Sequence, residues 1–186
     1  MKKLLVIILL FVPILIFAQN NEPKKINLGL EIGNKYFHSF SVGNQEFTSV
    51  SDMVSLTPIE LTVYLNYKFN NQNTLSLGLS MHDAFFLGGK ITPTILDYKY
   101  FINERRNTFF INTGIGYTLY NPTEIRSAVF KMGGGYRFSI TKKKNMHISV
   151  NYDLNKLSNI YVLDANSIKN KNIDVYAFNV KIGIGL

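Results

Sequence analysis

The sequence predicts an all-β fold: an eight-stranded antiparallel up-and-down transmembrane β-barrel, preceded by a cleaved signal peptide. After residue 25, eight stretches of about ten residues place a large apolar side chain at every second position, which is the period of a β-strand. The intervening positions are mostly Gly, Ser, Thr and Asn, and only 17% of the chain is charged. The connections include short polar turns and much longer segments, an arrangement typical of such barrels.

The first 18 residues have the features of an export signal. Lys2 and Lys3 precede an apolar run interrupted by Pro13, and Ala18 ends a small-residue cleavage site. The run is too short to span a bilayer comfortably. We therefore expect a signal peptide over residues 1–18 and one outer-membrane β-barrel domain over residues 19–186. The chain contains no cysteine, which excludes disulfides, a thiolate metal site and a lipidated N-terminus.

The first four strands follow from the alternation in chain order. From Ile26 to Ile32 bulky apolar residues alternate with small or polar ones, and the next two strands repeat the pattern on either side of the Asn-rich turn 70–73. The fourth is the least regular, and Pro93 lies at its beginning, where a strand tolerates proline. These strands are predicted over residues 25–36, 58–69, 74–82 and 91–102.

The last four strands end with the clearest one. Every second residue from Tyr176 to Leu186 is bulky and apolar, which is strict period two. Short turns are predicted at residues 103–107 and 141–145, and long loops at residues 37–57 and 157–172. An even number of strands places both mature termini in the periplasm. The strands are predicted over residues 109–118, 128–140, 146–156 and 173–186.

Two soluble folds compete with the membrane barrel. A lipocalin-like barrel has the same alternation turned inside out, with a hydrophobic-ligand cavity lined by the bulky phase. Its exterior needs many Lys and Glu residues, which the polar phase here lacks. An immunoglobulin-like sandwich seldom keeps the alternation for ten residues without a break. Aromatic residues gather near both ends of the strands, as two interfacial girdles do.

Several motifs together resemble a known family. They are the signal ending Phe17-Ala18-Gln19, the Gly-x-Gly-Tyr segment at residues 114–117, the Gly-Gly-Tyr segment at residues 134–136 and the terminal strand. The chain resembles the small outer-membrane β-barrel proteins of Bacteroidetes-type bacteria, which are similar to OmpX- and OmpA-type barrels. The resemblance implies insertion into outer-membrane lipid by the barrel-assembly machinery, although Leu186 replaces the aromatic residue that usually ends the assembly signal.

A lipid A-modifying enzyme of the deacylase or acyltransferase type is an alternative function. Such barrels use a His and a Ser near the extracellular rim. The candidates here are His38 with Ser39 in the first predicted loop, and Ser80 with His82, which share one face of the third strand. The ordinary interpretation, a rim histidine in a polar network, is favoured, and we predict no catalytic site.

Charged residues in the polar phase predict a network inside the lumen. Because eight strands enclose an interior that side chains can fill, we expect these charges to pair across a plugged core rather than to line a small-molecule pore, and buried charges need partners. The predicted members are Glu31, Glu60, Lys68, Asp97, Lys99, Lys131, Arg137, Asp153 and Lys181.

The remaining features favour binding or a structural role over other classes. The predicted loops 37–57 and 157–172 offer surfaces for a surface ligand. The formal net charge of +8 becomes +6 once Lys2 and Lys3 leave with the signal, and no motif accompanies it, so we expect no nucleic-acid partner. Three scattered histidines and no phosphate-binding loop indicate neither metal nor cofactor. The predicted role is structural or surface-interacting within the cell envelope.

Overall fold

A computed structural model describes most of the chain beyond the predicted signal peptide. Residues 1–18 lie outside the described residues, and so does Leu186, the residue in the predicted assembly signal. The described residues are 25–42, 45–47, 58–84, 89–118, 126–141, 144–164 and 167–185.

The described residues form ten strands in one antiparallel sheet. In chain order they are β1 (Ile26–Val42), β2 (Gln45–Phe47), β3 (Ile59–Lys68), β4 (Asn73–Ala84), β5 (Gly89–Ile91), β6 (Thr94–Phe101), β7 (Thr108–Tyr117), β8 (Arg126–Ser139), β9 (Asn145–Asp164) and β10 (Ser167–Gly185).

Eight of these strands close into a barrel. Each long strand pairs with its neighbours in the chain, and β10 pairs with β1 to complete the ring. The two short strands are additions at one end: β2 pairs with β1, and β5 pairs with β4. The predicted all-β, eight-stranded antiparallel barrel is confirmed. We call the end with the three connections near residues 70, 105 and 142 the turn end, and the opposite end the loop end.

The strands are strongly staggered around the barrel. Register partners followed from Ile26 through all eight strands return to β1 at Tyr36, ten residues further along (36 − 26 = 10). With a rise of about 3.3 Å per residue and strands about 4.7 Å apart, this shear tilts the strands by about 41°. The intermediate partners are Tyr67, Leu75, Tyr98, Thr113, Met132, Tyr152 and Phe178.

The alternation separates an apolar exterior from a largely polar interior. In β3 every second residue from Ile59 to Val63 is exposed while Glu60 and Thr62 between them are buried. The bulky phase of the sequence therefore faces outward in this barrel. Bulky outward-facing residues leave the inside to small and polar side chains, which fit the narrow lumen of eight strands.

The prediction of two long loops at residues 37–57 and 157–172 is wrong where the structure describes these residues. Residues 37–42 continue β1, and residues 157–164 and 167–172 continue β9 and β10, which pair up to Asp164 and Ser167. β9 and β10 form a hairpin. The polar residues at its far end do not show the alternation of bulky and polar residues, but backbone hydrogen bonds form regardless of the side chains. The part of the first predicted loop at residues 48–57 lies outside the described residues.

The predicted fourth strand, residues 91–102, is interrupted. Thr92 and Pro93 separate β5 from β6, since proline has no N–H to donate to the ladder. The Pro93 carbonyl still accepts a hydrogen bond from the Ser80 N–H (3.0 Å), so the barrel wall remains paired across the break.

Candidate functional site in the barrel lumen

The middle of the lumen holds equal numbers of buried carboxylates and lysines. Four acids face four bases, and each of the eight residues is at most 8% exposed. Burying a charge costs several kcal/mol unless it is paired, so this balance is what makes the interior tenable. The acids are Glu31, Glu60, Asp97 and Asp153, and the bases are Lys35, Lys99, Lys131 and Lys181.

Glu60 on β3 is the centre of the network towards the loop end. Its carboxylate lies 2.5 Å from the Lys181 Nζ and 3.0 Å from the Lys35 Nζ. Lys35 also contacts Asp153 (3.3 Å). Two ammonium groups on one carboxylate, with neutral donors on the remaining lone pairs, satisfy the desolvated charge. The neutral donors are Thr62 (3.1 Å), Ser80 (2.8 Å) and the Asn179 amide (2.8 Å).

Glu31 on β1 is the corresponding centre towards the turn end. Its Oε1 lies 2.6 Å from the Lys99 Nζ and 2.8 Å from the His147 Nε2. A second pair lies beside it, in which Lys131 contacts Asp97 (3.1 Å). The Lys131 ammonium also donates to the Tyr64 hydroxyl (2.9 Å).

Longer contacts connect both centres into one chain of alternating charge. Lys181 lies between Glu60 and Glu31, 3.9 Å from the latter, and Lys99 lies 3.9 Å from Asp97. Each acid is thereby flanked by bases and each base by acids. The order is Asp153, Lys35, Glu60, Lys181, Glu31, Lys99, Asp97, Lys131.

Tyr64 fills the space beside these ion pairs. It is 1% exposed, and the ammonium groups of Lys99 and Lys131 lie 5.3 and 5.4 Å from its ring centroid, within the range of cation–π attraction. The ring rests against Gly78, where an added Cβ would lie 2.5 Å from the ring. A glycine is required there because the aromatic ring occupies the place of a side chain.

The loop-end part of the lumen combines aliphatic and uncharged polar side chains. The buried aliphatic residues there are at most 7% exposed, and the buried polar residues are at most 6% exposed. The aliphatic residues are Ile91, Val129, Leu157, Ile173, Val175 and Ala177. The polar residues are Ser39, His82, Thr118, Ser127 and Asn155.

The turn-end mouth contains a small cavity of about 80 Å³. Lys68, Lys99 and Arg137 line it, with Glu31 as the carboxylate in the lining. The Arg137 guanidinium lies 3.9 Å from the centroid of the Phe101 ring and donates to the backbone carbonyls of the adjoining turn, residues 105–106. The remaining lining includes Asn27, Asn66, Phe110, Asn145, His147 and Gly185.

The structure brings together most of the residues proposed for the lumen network, in two groups. Seven of the nine lie in the alternating chain, whereas Lys68 and Arg137 line the mouth and contact no carboxylate among the described residues. Sequence reasoning missed Lys35, Tyr64 and His147. Lys35 was detectable, because it lies within the predicted first strand, residues 25–36, and continues the inward phase of Glu31.

The residues considered for catalysis are dispersed. Ser80 donates to Glu60 and is buried, and no hydrogen bond joins it to His82 among the described contacts. His82 is also buried in the lumen, and its Nδ1 has no hydrogen-bond partner among the described residues. Ser39 is buried after a bulge in β1, and the side chain of His38 lies outside the described set. Ser80 therefore serves the ion network in this arrangement.

Two searches of the described residues found nothing further. No group of three His, Asp or Glu side chains there is arranged to hold a metal ion. No helix in that part of the chain has the length and apolarity to cross a membrane.

Comparison with known proteins finds similarity in fold. No protein-family model matches the sequence, and a search of curated proteins finds no match. Among solved structures, the chain is similar to Neisserial surface protein A, with 8% identity and a TM-score of 0.44 over 84% of this chain and 96% of that one. It is also similar to outer membrane protein OprG from Pseudomonas aeruginosa, with 12% identity and a TM-score of 0.46 over 87% and 94% of the two chains. Both similarities concern the fold alone.

Proposed function

We propose that this chain is an outer-membrane β-barrel protein with a structural or surface-interaction role in the cell envelope. The observation that carries the proposal is the outward face of the barrel. On it, 28 large apolar side chains of the described residues are exposed, among them Ile59 (60%), Phe109 (62%) and Ile115 (61%). A soluble protein rarely exposes a continuous apolar surface of this kind, whereas lipid covers it without cost.

The height of this apolar belt supports a membrane location. On β1 the outward-facing residues run from Ile26 to Tyr36 and are apolar except for Asn34. This rise of ten residues corresponds to about 25 Å along the axis at about 3.3 Å per residue and a tilt of about 41°. That is the height of the apolar band of outer-membrane barrels. Outward-facing charges begin above it, at Arg126 and at Lys156, which is opposite Asp174.

The lumen supports a structural role rather than conduction. Ion pairs occupy its middle, and buried side chains, both aliphatic and uncharged polar, occupy the part above them. A small-molecule pore needs a continuous water-filled path. We expect the purified barrel to show no large, reproducible single-channel conductance in planar bilayers, and such a conductance would favour a pore.

The β9–β10 hairpin supports a surface-interaction role. Residues 160–164 and 167–171 pair with each other and with no other described strand, since the described pairing of β8 with β9 reaches only Ser158 and that of β1 with β10 reaches only Ile173. The ribbon therefore extends beyond the described barrel wall at the loop end, and no described strand covers its edges, which a partner strand can pair with.

The proposal includes an orientation with the turn end in the periplasm. An epitope inserted between residues 165 and 166 should be labelled by antibody on intact cells. The matched insertion between residues 142 and 143, in the short lysine-rich turn at the other end, should be labelled only after the cells are opened. The opposite pattern would reverse the orientation without affecting the membrane assignment.

Cell fractionation tests the location. The protein should sediment with the outer membrane and should change its gel mobility on boiling, as a closed membrane barrel does. Recovery in the soluble periplasmic fraction would refute the proposal. Unchanged lipid A acylation on deletion of the gene is the further expected result, and altered acylation would favour the enzyme alternative.

A further inference from the structure

The turn-end mouth of the lumen carries an excess of positive charge. Lys68, Lys99 and Arg137 line its cavity, and Glu31 is the carboxylate in the lining. With His147 counted as neutral, the sum is +2 (three cations minus one anion). Elsewhere in the lumen three lysines balance three carboxylates, once Lys99 and Glu31 are counted with the mouth, so the excess belongs to this mouth.

The two cations outside the balanced network face each other across the cavity. Lys68 is on β3 and Arg137 is on β8, and these strands are four steps apart in a ring of eight. Both residues are close to the turn-end limits of their strands and are half-buried. Groups on opposite walls at a similar level point toward one central volume.

Both side chains retain hydrogen-bond donors for a ligand. Lys68 makes no side-chain hydrogen bond or ion pair among the described residues. Arg137 uses its Nε and Nη2 on the carbonyls of Arg106 (3.3 Å) and Arg105 (2.8 Å), which leaves three of its five N–H groups. The backbone contacts and the stacking on Phe101 hold the guanidinium in a fixed orientation.

We propose that this mouth binds a small oxyanion, a phosphate or carboxylate group, between Lys68 and Arg137. Ammonium and guanidinium groups that converge on one volume are the donors that such anions prefer, and charge-assisted hydrogen bonds are the strongest available to them. The cavity of about 80 Å³ suits a small group. Asn145 and Phe110 are also among its lining residues.

Glu31 does not cancel the attraction. Its carboxylate is already shared by Lys99 (2.6 Å), His147 (2.8 Å) and Lys181 (3.9 Å). These three bases offset its negative charge, although it lies in the lining of the mouth. The anion site is the same whichever side of a membrane the turn end faces.

Titration of the purified, folded full chain with inorganic phosphate tests the proposal. The measurement is isothermal calorimetry in a neutral detergent, with heat-modifiable gel mobility as the check on folding. The Lys68→Gln variant should bind phosphate at least tenfold more weakly than the unmodified protein. Arg137→Lys, which keeps the charge but loses the planar fork, should weaken binding less than Arg137→Gln. Lys144→Gln is the matched control, since Lys144 is an exposed lysine of a turn at the same end.

Two further arms identify the source of the anion. Acetate tests a carboxylate, and nanodiscs containing phosphatidylglycerol are compared with phosphatidylcholine nanodiscs to test a lipid headgroup. Saturable binding of phosphate or acetate that Lys68→Gln weakens and Lys144→Gln leaves unchanged supports the proposal, with a soluble anion as ligand. If phosphate binding is lost in phosphatidylglycerol nanodiscs but kept in phosphatidylcholine nanodiscs, the lipid phosphate occupies the site. That result supports the proposal with a lipid phosphate as ligand. No binding in any arm, or equal weakening by both lysine variants, overturns it.

Discussion

The middle of the lumen and its turn-end mouth both contain basic side chains, but only those of the middle contact carboxylates. In the middle, every lysine contacts a carboxylate within 3.3 Å and is nearly inaccessible to water. At the mouth, Lys68 and Arg137 are half-buried and contact no carboxylate among the described residues. The difference shows that partners are compulsory where water is excluded, whereas water can solvate a cation near an opening. Cations with no carboxylate partner can then bind an anionic ligand.

Neutralising Glu60 should disrupt the ion-pair network in the middle of the lumen and cause the largest loss of stability. Glu60→Gln leaves four buried lysines with three carboxylates, and Lys35 and Lys181 lose their shortest contacts. We expect the free energy of unfolding to fall by about 3–5 kcal/mol. Urea denaturation of the refolded barrel, followed by gel mobility, measures it.

The double variant Glu60→Gln with Lys181→Gln is the control for that prediction, because it restores three acids to three bases. It should lose less stability than Glu60→Gln alone. A double variant at least as unstable as the single one would mean that packing, rather than charge balance, governs this region.

An added methyl group should distinguish the packed middle from the open mouth. At Gly133 a Cβ would lie 2.2 Å from the Val150 carbonyl oxygen and 2.6 Å from Asn151 Oδ1, whereas at Gly185 it would approach nothing closer than 4.0 Å. Gly133→Ala should cost about 1–3 kcal/mol. Gly185→Ala should change stability by less than about 0.5 kcal/mol. Equal urea midpoints for the two variants would contradict the difference in packing.

Salt should act on the mouth and spare the middle. Raising NaCl from about 0.05 M to about 1 M shortens the Debye length to about 3 Å and screens exposed charges far more than buried ones. Phosphate affinity at the mouth should fall about fivefold. The stability difference between the unmodified chain and Glu60→Gln should stay within about 0.5 kcal/mol. A salt-sensitive difference would show that water reaches the network.

Removing the mouth lysine should produce the smallest change in stability. Lys68 has no ion pair to lose among the described residues, so Lys68→Gln should shift the free energy of unfolding by less than about 0.5 kcal/mol. Lys181→Gln, which removes a lysine from the middle, is the matched comparison and should cost several kcal/mol. Similar urea midpoints for the two variants would refute the distinction between the regions.

The sequence alone determined the barrel and the direction of most side chains. Strict alternation assigns each strand residue to one of two faces, and the polar phase carries too few Lys and Glu residues for a wet exterior. That is why inward positions such as Glu31, Asp97 and Lys131 were predictable. The limits of strands were not, since polar residues in 157–172 pair through the backbone without showing the alternation.

Only the tertiary structure decided which charges meet. Lys35 and Asp153 are 118 residues apart in the chain (153 − 35 = 118), and Lys99 reaches Glu31 across the lumen from β6. These contacts depend on the ten-residue shear, which sets the level of each strand against the others. Alternation determines whether a residue faces the lumen or the exterior, but closure of the barrel determines its level along the barrel axis. For that reason the division between a balanced middle and a cationic mouth could not be derived from periodicity.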